Sequence, residues 1–157
     1  MVSIGELETV NYVGNENHYW KHECGGIIVS DHVILSAAHC FRNGHKSIRT
    51  GDEYLEDQSD NNFAATYTVN TIFKHPKYFT DTIEYDLAVV LTIEKIAFNN
   101  RTKPICLPQS PSDKSYTGFT AYIAGWGQVD EWPVHTRTNV SLRKESYKVR
   151  MARSRQF

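Results

Sequence analysis

The sequence predicts an all-β protein with its strands closed into an antiparallel barrel, and three observations carry that expectation. Short runs of apolar and β-branched residues recur between turn residues from Cys24 to Ala124. No stretch sustains the periodicity of an amphipathic helix, and no internal repeat or low-complexity tract breaks the pattern. The run Asp86-Leu87-Ala88-Val89-Val90-Leu91-Thr92 is continuous rather than alternating, as in a strand covered on both faces. Closing such strands into a barrel buries them without leaving edges. With 157 residues, 40% of them apolar and 22% charged, the chain is long enough to bury a core.

The elements follow in order. Gly25-Gly26-Ile27-Ile28-Val29-Ser30 is a short strand, Ser30-Asp31 a turn and His32-Val33-Ile34-Leu35-Ser36 a second strand, which together predict a hairpin. Ala37-Ala38 break the β-branched run and lead into one helical turn at His39-Cys40-Phe41, ended by Arg42-Asn43-Gly44. A polar stretch from Gly51 to Asn62, with five acids between Asp52 and Asp60, is expected to be a solvent loop with some attraction for a cation. Strands are expected at Phe63 to Phe73 and Asp86 to Thr92, with His75-Pro76 turning the chain between them. Pro104, Pro108 and Pro111 make Thr102 to Ser115 a crossover without regular ladders, and Phe119 to Ala124 resumes the strand pattern.

The last fifteen residues crowd Arg143, Lys144, Lys148, Arg150, Arg153 and Arg155 against the single acid Glu145. Such a tail suits nucleic acid, yet Tyr147, Val149 and Met151 alternate with Lys148 and Arg150 as in a half-exposed strand, which is the reading adopted. A formal net charge of −1 supplies no global field toward nucleic acid or an anionic membrane, so neither partner is expected. No apolar run approaches the roughly 18 residues of a membrane span. Met1-Val2-Ser3-Ile4-Gly5-Glu6 lacks the basic and apolar regions of a signal peptide.

Three cysteines, Cys24, Cys40 and Cys106, leave one unpaired whichever two bridge. Closing the loop between Cys24 and Cys40 contributes about 3 kcal/mol on a chain-entropy estimate where the compartment is oxidising. Sequons at Asn100-Arg101-Thr102 and Asn139-Val140-Ser141 make Asn100 and Asn139 glycosylation candidates. His18 and His22 stand four apart beside Glu23, a helical metal-ligand spacing, but the segment leads into a strand and no metal is expected there.

Two residues have the character of an acid–base pair. A lone histidine in an apolar setting is more often structural than catalytic, but His39 follows two small alanines at a strand exit, where a turn fixes its direction. A general base needs that fixed geometry and a side chain that changes charge near neutral pH. Asp86 opens an apolar run, where a carboxylate is either solvated at a strand start or held by hydrogen bonds. In the second case it accepts an imidazole Nδ1–H, fixing the tautomer and stabilising the imidazolium. Sequence spacing alone gives no distance between the two.

The ordered set Cys24-Gly25-Gly26-Ile27-Ile28-Val29-Ser30, Leu35-Ser36-Ala37-Ala38-His39-Cys40, Tyr85-Asp86-Leu87-Ala88-Val89-Val90, Pro104-Ile105-Cys106-Leu107-Pro108 and Ala124-Gly125-Trp126-Gly127 resembles the chymotrypsin/trypsin-like serine peptidase family. The resemblance covers Met1 to Gly127 and, more loosely, Ser141 to Arg150. It implies His39 as general base and Asp86 as the carboxylate that orients it. It also implies a Cys24–Cys40 disulfide beside that histidine, with Cys106 a candidate for an interchain bridge to a pro-region. No Gly-Asp-Ser-Gly-Gly segment occurs, and Ser141, Ser146 and Ser154 lack the neighbouring glycines of an oxyanion hole.

The expectation is therefore a trypsin-like serine endopeptidase in truncated form, inactive alone, with a non-catalytic peptidase-like binding protein as the competing reading. Residues 1–108 are expected to form the first barrel with an incomplete opening strand, since Met1 to Gly5 resembles the middle of the family's first strand. Residues 109–157 are expected to be a linker and the truncated start of a second barrel. The resemblance implies protein or peptide substrates, peptidase inhibitors as partners, an extracellular setting and no cofactor, with calcium at the Asp52 to Asp60 loop as the one candidate ion.

Overall fold

The computed structural model describes residues 1–12, 15–42, 46–55, 63–108 and 116–127, together with the backbone of 143–148. Among them run the strands β1 Val2–Tyr12, β2 Asn15–Ile28, β3 Val33–Ser36, β4 Ser47–Thr50, β5 Ala65–Lys74, β6 Ala88–Thr92, β7 Thr120–Gly125 and β8 Arg143–Lys148. A 3-10 turn, Ala38–Phe41, follows β3. No helix of the described residues is long and apolar enough to cross a membrane.

The first six strands form a closed antiparallel barrel in the order β1-β2-β3-β6-β5-β4, which is the predicted fold class. Closure rests on Val2 to Gly5, which pair with β2 on one side and β4 on the other. Alternation along β3, β4 and β6 sends Ile34, Ile48 and Val90 inward, where they meet Val2, Ile4 and Ile28 in one buried cluster. Burying each such side chain contributes about 1.5–3 kcal/mol, so this layer holds the ring together.

Two parts of the barrel differ from the sequence expectation. Beyond Gly5, β1 and β2 continue as a ribbon down to the pair Tyr12 and Asn15. Its register is held by pairings such as Glu8 with Tyr19, and Lys21 bridges both Glu6 and Glu8. Most of its side chains are solvated, so it carries no apolar alternation by which it is legible. β4 was also unforeseen, because four residues carry too short a pattern.

A bulge between Ile4 and Gly5 makes Glu23 the extra residue of β2. Glycine is required opposite it: a Cβ on Gly5 would stand 2.0 Å from the Lys21 carbonyl oxygen. The acidic segment also begins differently from expectation, because Asp52 is buried and paired with Arg49 Nε at 2.5 Å rather than solvated. Glu56, Asp57 and Asp60 lie outside the described residues.

Strand β7 pairs antiparallel with β8, from Thr120 with Lys148 to Gly125 with Arg143. The tail thus begins as a strand, in keeping with the half-exposed strand expected there, and pairs with one edge of β7. Arg150, Arg153 and Arg155 lie outside the described residues. Trp126, just after β7, packs on Trp20 and Leu55 and donates its indole N–H to the Glu53 carbonyl at 3.2 Å, docking this segment on the barrel.

Candidate active site at the exit of strand β3

Strand β3 ends at Ser36, whose hydroxyl donates to the Gly25 carbonyl at 2.9 Å and ties it to β2. Ala37 keeps an extended backbone, and the chain then tightens into the Ala38–Phe41 turn, with Cys40 N–H donating to the Ala37 carbonyl. Ala38 and Ala88 are both buried, so their small side chains let the turn lie close to β6. The predicted disulfide is present: Cys24 and Cys40 are bonded, with their Cα atoms 6.1 Å apart. It ties the turn to β2 immediately after the Glu23 bulge.

Asp86 is placed by a different device from the one expected. Regular strand β6 begins only at Ala88, and Asp86 is the middle residue of a tight turn in which Leu87 N–H donates to the Tyr85 carbonyl at 2.7 Å. Tyr85 adopts the left-handed region at φ 53°, a conformation that costs a non-glycine residue energy unless its surroundings enforce it. Those surroundings are a parallel stack on His75, ring centroids 5.0 Å apart, and a hydrogen bond from His75 N–H to the Leu87 carbonyl. The turn lifts the carboxylate out of the ladder and over the 3-10 turn.

There the structure brings the two sequence-predicted residues together. Asp86 Oδ2 lies 2.6 Å from His39 Nδ1, and Asp86 Oδ1 accepts the His39 backbone N–H at 2.8 Å. Burial pushes the Asp86 carboxyl up, but the bonds from the His39 ring and backbone, with the Ala38 backbone behind them, outweigh it and hold the group below the usual carboxylate range. Side-chain exposure is 20% for Asp86 and 47% for His39. The pair therefore has a sheltered carboxylate and a half-exposed imidazole, and His39 lines an open cleft of about 300 Å³ together with Cys24 and Cys40. An ionised carboxylate accepts only, so His39 carries its proton on Nδ1 and leaves the Nε2 lone pair available to take one.

Several lining residues went unrecognised in the sequence. Glu23, carried into the cleft wall by the bulge, pairs with the buried Lys46 ammonium at 2.6 Å, and Glu6 adds a second carboxylate at 3.7 Å. Arg42 lines the cleft but directs its guanidinium to Tyr78 Oη and the Thr80 carbonyl. No local pattern links Glu23 to Lys46; only the barrel register does.

The remaining predicted residues lie elsewhere. Cys106 is a free, exposed thiol just past Ile105, whose N–H donates to the Ile28 carbonyl at 2.9 Å. Asn100 is exposed while Thr102 of its sequon is buried; Asn139 lies outside the described residues. His18 Nδ1 lies 2.8 Å from the Thr9 hydroxyl and His22 Nδ1 2.7 Å from the Ser3 hydroxyl.

The trypsin family model matches residues 8–155, and the chain belongs to that family. It is 29% identical over 113 residues to venom serine protease Bi-VSP of Bombus ignitus, covering 70% of this chain and 31% of that protein. To ovochymase-2 of Mus musculus it is 32% identical over 115 residues, covering 71% and 19%. To serine protease 56 of Homo sapiens it is 34% identical over 108 residues, covering 69% and 18%. The chain thus spans less than a third of the length of these curated relatives.

Proposed function

We propose that this chain supplies the proton-transfer half of a trypsin-like serine endopeptidase, with His39 as general base and Asp86 as its orienting carboxylate, and that the 157 residues alone do not hydrolyse peptides. The observation that carries the reading is the 2.6 Å contact between Asp86 Oδ2 and His39 Nδ1. In this chemistry His39 Nε2 removes the proton of a serine hydroxyl as that oxygen attacks a peptide carbonyl, then returns it to the leaving amine. Asp86 holds the ring in register and stabilises the imidazolium between the two steps. No cofactor takes part.

None of the 157 residues forms a Gly-Asp-Ser-Gly-Gly segment, so the reading assigns neither nucleophile nor oxyanion hole within them. Residues 1–108 act as the first barrel and 109–157 as a crossover and the start of a second. Protein or peptide substrates and peptidase inhibitors are the partners of the assembled site. The disulfide and the similarity to a venom serine protease support an extracellular setting. Exposed Cys106 remains the candidate tether to a pro-region.

The test compares the 157-residue chain with the product of the longest transcript containing it, on a panel of peptide amides. The chain alone is expected to be inactive and the longer product active, with His39→Ala lowering turnover on the order of a million-fold. Unchanged turnover in His39→Ala would overturn the assignment. A transcript that supplies no serine nucleophile, together with a soluble cooperative monomer, would establish the non-catalytic binding reading instead.

A further inference from the structure

We infer that on reduction of the Cys24–Cys40 disulfide the two thiolates and His39 Nε2 become a three-ligand site for zinc in the cleft that these residues line. His39 Nε2 lies 3.6 Å from Cys40 Sγ and 3.9 Å from Cys24 Sγ. In a tetrahedral zinc centre with Zn–S near 2.3 Å and Zn–N near 2.0–2.1 Å, nitrogen and sulfur stand about 3.6 Å apart. The nitrogen is thus already at ligand distance from both sulfurs. Only the sulfurs must separate, to about 3.8 Å. Rotation about each Cα–Cβ bond provides that separation across Cα atoms 6.1 Å apart.

The electrostatics agree. Asp86 takes the Nδ1–H of His39, leaving Nε2 as the donor atom, the carboxylate–histidine arrangement that strengthens an imidazole ligand. Both lining cations are engaged: Lys46 by Glu23 and Glu6, Arg42 by Tyr78 and Thr80. Two thiolates balance the charge of zinc, and the open side of the cleft leaves its fourth position to water. Bonded to each other the sulfurs carry no negative charge, so the site exists only after reduction. A dithiol supplies the two electrons and two protons and is itself oxidised to a disulfide; zinc then displaces both thiol protons to solvent. The metal recloses the loop that the disulfide closed. The inference rests on geometry alone and needs no nucleophile, so it stands apart from the peptidase reading.

The test uses the full chain carrying Cys106→Ser, reduced by a water-soluble phosphine and freed of it without air. Titration with zinc against a chromophoric chelator, and with cobalt(II) for its thiolate charge-transfer and tetrahedral d–d bands, is expected to show one metal per reduced chain and none per oxidised chain. His39→Ala is expected to weaken zinc by at least tenfold, and Asp86→Asn by about 10–100-fold. If the reduced chain loses strand circular dichroism, zinc is expected to restore it. Metal binding that is absent, or equal in His39→Ala, overturns the inference, as does a reduced unfolded chain that zinc fails to refold.

Discussion

The carboxylate of Asp86 accepts two hydrogen bonds from a single residue, one from the ring of His39 at 2.6 Å and one from its backbone at 2.8 Å. The backbone bond fixes where the 3-10 turn sits, and the ring bond fixes how the imidazole points from it. Asp86→Asn keeps the shape but offers an amide in place of a full acceptor pair, so the wrong imidazole tautomer becomes favourable. In an assembled peptidase this substitution is expected to lower turnover about ten-thousand-fold. In the chain itself, nitrogen-15 NMR is expected to show the His39 proton leaving Nδ1; an unchanged tautomer would contradict the assigned geometry.

His22 predicts an acid sensitivity of the barrel. The buried Ser3 hydroxyl accepts the Trp20 indole N–H at 2.6 Å and is hydrogen-bonded to His22 Nδ1 at 2.7 Å. Burial lowers the affinity of His22 for a proton, against the smaller opposing pull of Glu23, and the Trp126 ring covers its edge. The folded state therefore binds this proton more weakly than the unfolded state does. Its contribution is complete above the ordinary imidazole value of about 6.5 and is lost as pH falls below it. Thermal melting is expected to drop as pH falls below about 6.5 in the parent and to drop less in His22→Gln; parallel curves would exclude His22 as the cause.

Asp86 acts in a lower window with the same sign. Its depressed carboxyl contributes stability above the ordinary carboxylate range, and that contribution disappears as pH falls through the folded value.

Gly5→Ala tests the bulge. A Cβ there meets the Lys21 carbonyl at 2.0 Å, and backbone rather than a flexible side chain must move. Denaturant titration is expected to show a loss of about 1–3 kcal/mol. The displacement should also reach Glu23 and Lys46, visible as changed amide shifts in the cleft wall.

Trp126→Ala separates the barrel from the segment docked on it. The indole packs on Trp20 and Leu55 and donates to Glu53. Its removal is expected to cost about 3–5 kcal/mol of the docked arrangement. Hydrogen exchange should accelerate in 116–127 while β3 and β6 amides keep their protection. Equal acceleration everywhere would mean that barrel and segment unfold as one unit.

Legibility tracked local pattern. β3, β5, β6 and β7 were foreseen because each carries an apolar run between turn residues, though Asp86 and Leu87 stand outside β6, Phe63 and Ala64 outside β5, and Phe119 outside β7. The β1–β2 ribbon was missed because its solvated faces leave no period, and β4 because four residues do not establish one. At the site, His39, Asp86, Cys24 and Cys40 were legible from the chemistry of their neighbours together with a family resemblance. Glu23 and Lys46 were not, because they meet only through a bulge and a strand register.

By itself the sequence determined the residue types, the barrel class and the turn that carries His39, since these follow from short-range steric and hydrophobic preferences acting within a few residues. Only the tertiary structure decided that His39 touches Asp86 across 47 positions, that Tyr85 takes a left-handed backbone to present it, and that Lys46 is buried against Glu23. Hydrogen bonds and ion pairs act over a few ångströms. Those distances are set by barrel closure and register, which depend on the whole ring of strands at once and on no single segment of chain.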